Sequence, residues 1–376
     1  RLLKEGDFFS RPALAETLEK IAREGASSFY QGVIAEKMLQ DLEAAGGILT
    51  KEDFGTYRTK RPSPLETTFH GSRVVVPPSP SSGPSMALGF RLLERVLQQC
   101  PRCKPSDRVH LMVETMKHMF GLRMRLGDPA FVVEEVASVL ESMLLDDQHV
   151  ERLAGKMLLN QTHSPDHYMS EFQKVGGHGT THLNVVDGHR NVVAITSSIN
   201  HAFGSFLVSE QTGVLFNNDM NDFTITPDDA NSFGLPPSKA NVIAPGKRPL
   251  SSMCPVLFFH ADGRLLAAVG GSGGPTILSG VLSVMTQVLV EHKNVEQALR
   301  DFRIHHQLHP NVVFAENATP VSHVRSLVSR GHRVVARGRL LADGQMSSNV
   351  QLILDTGDSL RACSDPRKYG RSSGYS

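Results

Sequence analysis

Apolar positions recur at helical spacing through the first half of the chain. Pro12 opens a helix whose Leu14, Leu18, Ile21 and Ala22 share one face, and Gly25 ends it. A second helix carries Val33, Ile34, Met38, Leu42 and Ala45 before Gly46-Gly47. Thr50-Lys-Glu-Asp53 fits a capping box opening a short turn. A strand, Ser72–Val76, runs into Pro77-Pro-Ser-Pro-Ser-Ser-Gly83. Ser106 then caps a long helix with Val109, Val113, Met116 and Phe120 on its buried face, and Gly127-Asp-Pro129 stops it. A further helix is expected over Val133–Leu145.

The pattern changes after the loop Gly176-Gly-His-Gly179. Short β-rich runs follow at Thr181–Asp187, Asn191–Ser198, Gly213–Asn217, Pro255–His260 and Arg264–Val269. The turn Asp187-Gly-His-Arg-Asn191 joins the first two as a hairpin, so these strands read as antiparallel. Gly270-Gly-Ser-Gly-Gly274 precedes a helix over Pro275–His292, and another covers Val295–Arg303. Strands return at Arg333–Arg337, Asn349–Leu354 and Leu360–Cys363. This order predicts a layered α+β fold with stacked sheets.

Composition narrows the function classes. The 376 residues are 40% hydrophobic and 20% charged, which suits a folded globular protein and excludes disorder. A net charge of +1 with no basic stripe argues against nucleic acid as a partner. No run of about 18 apolar residues exists to span a membrane. The chain opens at Arg1 without a leader pattern and reads as a fragment or processed piece, with any anchor upstream. Cys100-Pro-Arg-Cys103 has no second CxxC to close a zinc site, so a loop disulfide or two surface thiols is expected. Asn160-Gln-Thr162 and Asn317-Ala-Thr319 are glycosylation acceptors if the chain is secreted.

Five stretches carry candidate chemistry. Thr180 follows a glycine-rich loop and heads a strand. A threonine hydroxyl needs a base, and cleavage before Thr180 would expose an α-amine with a pKa of about 7.7–8. The plain alternative is a strand that begins with threonines. Gly270-Gly-Ser272-Gly-Gly274 fits G-x-S-x-G, with Asp301 and His305 or His306 following in triad order. The same glycines at a helix start suit an anion or oxyanion site, or merely a tight turn. Asn217-Asn-Asp219-Met-Asn-Asp222-Phe223 offers carboxylates for an amine, or a turn. Ser251 and Ser252 offer hydroxyls for a carboxylate. His305 and His309 have helical zinc spacing but lack a third ligand, and read as a helix end before Pro310. No metal or organic cofactor is expected.

Together the first four of these stretches resemble the γ-glutamyltransferase family (glutathione hydrolases), which are N-terminal-nucleophile hydrolases. The resemblance also includes Phe29-Tyr-Gln-Gly32, Gly46-Gly-Ile-Leu-Thr-Lys-Glu-Asp53, Pro77–Gly83, Leu126-Gly-Asp-Pro129, Pro249-Leu-Ser-Ser-Met-Cys254 and Ser364-Asp-Pro-Arg-Lys368. It implies a four-layer αββα sandwich and self-cleavage at Gly179–Thr180. Residues 1–179 would be the C-terminal part of a large subunit and 180–376 a small subunit, the two forming one catalytic domain as a heterodimer from one precursor.

By resemblance, Thr180 attacks the γ-glutamyl carbonyl of glutathione or a related compound, and Gly273 and Gly274 bind the oxyanion. Asp219 and Asp222 would hold the substrate amine, Ser251 and Ser252 its carboxylate, and Ser198 and Asn200 would line the pocket. The acyl group would pass to water, an amino acid or a dipeptide. An upstream single-pass type II anchor and an extracellular catalytic domain are implied too. Three departures stand out. Asp219 replaces the family's Glu or Gln, Ser198 replaces Thr, and the family's carboxylate-binding arginine has no counterpart motif in this sequence. The alternative these departures raise is a weak or inactive member acting as a membrane-associated binding or regulatory protein.

Overall fold

Residues 3–4, 6–134, 146–168, 179–224, 239–337 and 348–375 are described by the computed structural model. The helix expected over Val133–Leu145 lies outside them beyond its first two positions, as does the start of the Gly176–Gly179 loop. The chain divides into two compact units, Arg1–Pro62 with Phe203–Asn218, and Ser63–Ala202 with Asp219–Ser376.

The first unit is built from four helices, α1 (Pro12–Glu24), α2 (Ser27–Tyr30), α3 (Val33–Ala44) and α4 (Lys51–Thr56). The expected capping box opens α4. The Asp53 carboxylate accepts the Thr50 N–H at 2.7 Å, and Thr50 Oγ1 accepts the Asp53 N–H at 3.3 Å. Segment 203–218 folds back on these helices, with Thr17 Oγ1 donating to Thr212 O at 2.9 Å and Ser209 Oγ to Asp41 at 2.5 Å. The strand expected at Gly213–Asn217 reduces to a single bridge, Val208 to Leu215, because side-chain bonds to α1 and α3 hold this segment in place of a ladder.

The second unit centres on a six-stranded antiparallel sheet. It contains β1 (Leu65–Phe69), β2 (Ser72–Val76), β5 (Val256–Phe259), β6 (Leu265–Ser272), β10 (Asn349–Asp355) and β11 (Leu360–Ser364), in that spatial order. One face is covered by α5 (Gly83–Gln99) and α8 (Thr276–Leu289), with α6 (Pro105–Arg123) packed on α5. Phe90 of α5 packs between Phe69, at a tilt, and Phe258, edge to face, at ring-centroid distances of 4.9 and 5.3 Å. Helix α6 starts at Pro105, one residue before the Ser106 cap predicted, and the Asp107 carboxylate accepts the Lys104 N–H at 2.9 Å.

On the other face lies the hairpin of β3 (Thr180–Val186) and β4 (Val192–Ser198), paired so that Thr180 faces Ser198. Its inner side is polar. His182 bonds Thr196 Oγ1 and Asn184 Oδ1, each at 2.9 Å, and Asn184 donates to Gln351 O of β10 at 3.0 Å. The imidazole sits on Gly270 of β6, where an added Cβ would come within 2.2 Å of the ring. Leu183, Val185, Val193 and Ile195 point the other way and are at least half exposed. Among the described residues the unit is therefore layered helix, sheet, sheet, which are three layers of the expected αββα sandwich. Gly270→Ala is expected to lower stability by about 1–3 kcal/mol, since the doubly bonded ring cannot step aside. A urea midpoint equal to wild type would contradict the packing.

The remaining elements are α7 (Asp147–Ala154), α9 (Val295–Arg300), β7 (Ile304–His305), β8 (Val313–Glu316), α10 (Val321–Ser329) and β9 (Val334–Arg337). His305 stands on a two-residue strand, so the helix end expected around it is corrected: its partner strand β8 supplies the ladder. Cys100 and Cys103 are joined as a disulfide.

A buried histidine network ties α6 to the turn before β9. His110 Nδ1 bonds His332 Nε2 at 2.8 Å, and His110 Nε2 bonds Leu158 O at 2.8 Å. Glu114 accepts from Thr162 Oγ1 at 2.6 Å and from the Tyr168 hydroxyl, with the Lys117 ammonium 3.6 Å away. Burial holds His110 below the usual histidine range, and takes His118 and His332 down to about 3. The unfolded chain protonates His118 and His332 near pH 6.5, whereas the folded one refuses those two protons until about pH 3. Folding stability should therefore fall steadily as pH drops below about 6.5. Urea midpoints measured from pH 7 to 4 check this, and a flat profile would contradict it.

Candidate functional site

Gly179 and Thr180 form a tight corner at the head of β3. The Gly179 carbonyl accepts the Ile199 N–H at 3.1 Å, and the Gly179 N–H donates to Asn200 O. An added Cβ on Gly179 would lie 1.9 Å from His201 O, so only glycine fits here. Asn200 turns the chain with φ of 66°, a left-handed conformation that Asn tolerates better than most residues. Its N–H donates to Ser198 Oγ at 3.0 Å, and Ser198 Oγ is 3.0 Å from Thr180 Oγ1. The Thr180 hydroxyl is thus buried and held by Ser198. The shorter rotor of serine in place of threonine keeps the oxygen needed for this bond.

Lys368 connects this corner to β6. Its ammonium donates to Thr180 O at 2.7 Å and to Ser272 Oγ at 3.2 Å. Burial lowers the Lys368 pKa. Directly after Ser272, the chain turns through Gly273 (φ 116°) and Gly274 (φ 59°) into α8. Their carbonyls point back into the helix, accepting from Thr276 Oγ1 at 2.8 Å and Ile277 N at 3.0 Å. Among the described residues, the buried Gly273 and Gly274 N–H groups donate to nothing. Two unpaired buried donors beside a helix N-terminus are costly unless an oxyanion uses them.

The rival triad does not assemble. Ser272 Oγ bonds Lys368 and Asn349 Oδ1. His305 bonds Ser279 at 2.8 Å and Gln307 at 3.0 Å, while His306 bonds Asn311 at 3.2 Å. Asp301 pairs with Lys293.

A second constellation contains the two serines and the two aspartates. Ser251 N–H donates to Pro80 O at 2.8 Å, and Ser251 Oγ accepts the Met253 N–H at 3.2 Å. Ser252 is buried, and its Oγ accepts from the Arg123 guanidinium at 3.2 Å. Arg123 also donates to Ser82 Oγ at 3.1 Å, and Ser82 Oγ donates to Ser251 O at 2.8 Å. Asp219 and Asp222 share one 3-10 turn, and Asn241 Nδ2 pins the Asp222 carbonyl at 2.6 Å. Burial raises both carboxyls. Asp222 reaches about 6, with nearby Arg123 pulling it down and Asp219 pushing it up. Asn217 and Asn218 of the same motif belong to the other compact unit.

Lys368, Arg123 and Ser82 were not singled out from the sequence. Lys368 closes the Ser364–Lys368 motif and Ser82 lies within Pro77–Gly83, and these motifs were the available signals. Arg123 stands in the last turn of a helix, where a cation ordinarily reads as compensating the helix dipole.

Stacked antiparallel sheets, with a glycine–threonine corner at the head of the inner hairpin, are the architecture of the N-terminal-nucleophile hydrolases. A cephalosporin acylase from Bacillus halodurans has this fold in common with the chain, with a TM-score of 0.82 at 24% identity, covering 100% of this chain and 65% of that one. The gamma-glutamyltranspeptidase family model matches residues 1–375. Glutathione hydrolase 3 of Arabidopsis thaliana is 36% identical over 364 residues, which are 95% of this chain and 56% of the relative. Glutathione hydrolase 2 of the same plant is 37% identical over 385 residues, 100% and 66% respectively. The chain belongs to the gamma-glutamyltranspeptidase family. It spans between 56% and 66% of the length of these relatives.

Proposed function

We propose that the protein is a γ-glutamyl hydrolase and transpeptidase whose nucleophile is Thr180, exposed by self-cleavage. The observation that carries this is the corner itself, where Thr180 Oγ1 bonds Ser198 and the Gly179 carbonyl accepts the Ile199 N–H. Thr180 Oγ1 attacks the Gly179 carbonyl carbon, the C–N bond breaks, and water hydrolyses the resulting ester. Gly179 leaves as a carboxylate, and Thr180 gains a free α-amine. The Ile199 N–H supports the charge that develops on the Gly179 oxygen.

The freed α-amine then takes the Thr180 hydroxyl proton as it attacks a γ-glutamyl carbonyl. The idle Gly273 and Gly274 N–H groups receive the oxyanion. Asp222, with Asp219, holds the substrate ammonium, and Ser251 and Ser252 donate to its carboxylate. Ser198 and Asn200 hold Thr180 in place. The acyl-enzyme passes to water or to an amine acceptor. Residues 1–179 and 180–376 become the two subunits of one catalytic domain.

Asp222→Asn is expected to raise KM for a γ-glutamyl anilide by about ten- to a hundredfold, the size of one charge-assisted bond. In wild type, the α-amine near 7.7–8 sets the pH dependence of kcat, whereas KM for the anilide should rise as pH drops through about 6, where Asp222 takes up a proton. A protonated, neutral Asp222 no longer holds an ammonium. A KM profile flat from pH 7 to 5 would remove Asp222 from this role.

Placement outside the cell, behind an upstream anchor, is part of the same proposal. It is supported by the Cys100–Cys103 disulfide, which suits an oxidising compartment, and by the exposed sequon residues Asn160 and Asn317. Protein from a secretory host should lose glycan mass at these two residues on glycosidase treatment. An unchanged mass would argue for another compartment. Intact mass of the full-length protein, with Thr180→Ala as control, tests the cleavage.

A further inference from the structure

We propose that Arg123 is the positioning residue of the substrate-carboxylate pocket, acting through Ser252 and Ser82. This inference rests on the γ-glutamyl reading above and names a residue that the reading does not require. Arg123 ends α6 with only 3% of its surface exposed. Among the described residues it forms no ion pair, and its bonds run to two neutral hydroxyls, Ser82 Oγ at 3.1 Å and Ser252 Oγ at 3.2 Å. A buried guanidinium without a paired carboxylate is costly, and an arriving anion repays that cost.

The hydroxyl geometry says how the charge is used. Arg123 can only donate, so Ser252 Oγ must accept from it. The Ser252 proton is then free to point at another acceptor, as a carboxylate ligand requires. Ser82 is committed the same way. It accepts from Arg123 and donates to Ser251 O, which fixes the backbone between the two serines. Ser82 N–H also donates to Met253 O at 3.1 Å, so the serine pair is clamped from both sides. The cation stays charged at neutral pH, with a pKa of about 10 despite burial, and it draws the neighbouring Asp222 toward its ionised form. One residue thus orients the carboxylate donors and supports the amine acceptor.

The test uses the full-length protein, a γ-glutamyl anilide, and the matching 4-aminobutyryl anilide, which lacks the α-carboxylate. Arg123→Gln should raise KM for the γ-glutamyl anilide about ten- to a hundredfold with kcat within about threefold. At pH 8, where Asp222 is ionised with or without the cation, it should leave the 4-aminobutyryl anilide nearly unchanged, and it should move the rise in KM near pH 6 upward, since Asp222 loses the pull of Arg123 and keeps the push of Asp219. Arg123→Lys should recover part of the KM. Ser252→Ala added to Arg123→Gln should cost little more than either alone. Ser82→Ala, which keeps the buried cation, should raise KM several-fold and covers the case in which Arg123→Gln does not fold. An unchanged KM in the folded Arg123 variant, or equal losses on both anilides, overturns the inference while wild-type turnover keeps the γ-glutamyl reading. For Ser82→Ala, an unchanged KM does the same. Wild-type protein without γ-glutamyl turnover overturns both.

Discussion

Thr180→Ala is expected to abolish two events at once. The chain should remain uncut at Gly179–Thr180, and γ-glutamyl turnover should fall by at least about a thousandfold, as for loss of a nucleophile that works with its own base. Thr180→Ser keeps an oxygen within reach of Ser198 Oγ, which stands 3.0 Å from the present hydroxyl, and should retain slower cleavage and slower turnover. The fold should survive both changes, because Thr180 contributes one small side chain to a polar inner face. Intact mass and anilide turnover, read on the same preparations, check the result. A cut and active Thr180→Ala protein would refute the assignment.

The second large effect is expected at Arg367. Its guanidinium forks onto Glu316, at 2.6 and 2.7 Å, and reaches Asp365 at 3.0 Å, all buried. Asp365 also takes the Val350 N–H at 3.2 Å and lies 3.5 Å from Arg303. Arg367→Ala takes the paired cation from buried Glu316 and leaves Asp365 with the longer contact to Arg303, which should cost about 3–5 kcal/mol. The Glu316 carboxyl is held below its ordinary range chiefly by bonds to Arg367, against the opposing effect of burial. Its contribution is therefore present above the unfolded carboxyl pKa and is lost as pH falls toward the folded one. The next residue is Lys368, so the variant should also loosen the ammonium on Thr180 O and slow self-cleavage. Urea midpoints and the rate of appearance of the cut chain measure the two parts. A midpoint within experimental error of wild type would contradict the network's structural role.

The elements that the sequence predicted well are those whose signals are local. Helix α1 and the hairpin of β3 and β4 follow from spacing, alternation and the Asp187 turn, and they sit within a residue or two of expectation. Cys100 follows a helical stretch in the sequence, but the start of α5 has no local signal because Pro77–Gly83 reads as a breaker, yet a proline is tolerated in the first helical turn. His305 showed helical spacing to His309, but its strand is two residues long and depends on β8 for definition. The polar inner face of β3 inverts the usual rule, since the apolar Leu183 and Val185 face outward.

Site residues divide in the same way. Thr180, Gly273 and Gly274 announce themselves by glycine content and position. Arg123 depends on partners 41 and 129 positions away, and Lys368 on partners 188 and 96 positions away. Only the fold brings such residues together. The structure also explains the Ser198 departure, because the bond to Thr180 needs only a hydroxyl.

The central claim is that Thr180, as a new N-terminus, carries the acyl group. The most direct measurement is to label the full-length protein with a glutamine-like electrophile and map the adduct by peptide mass. One adduct is expected, on Thr180 at the start of a cleaved chain, blocked by excess L-glutamate. An adduct on Ser272, or on Thr180 within an uncut chain, would contradict it.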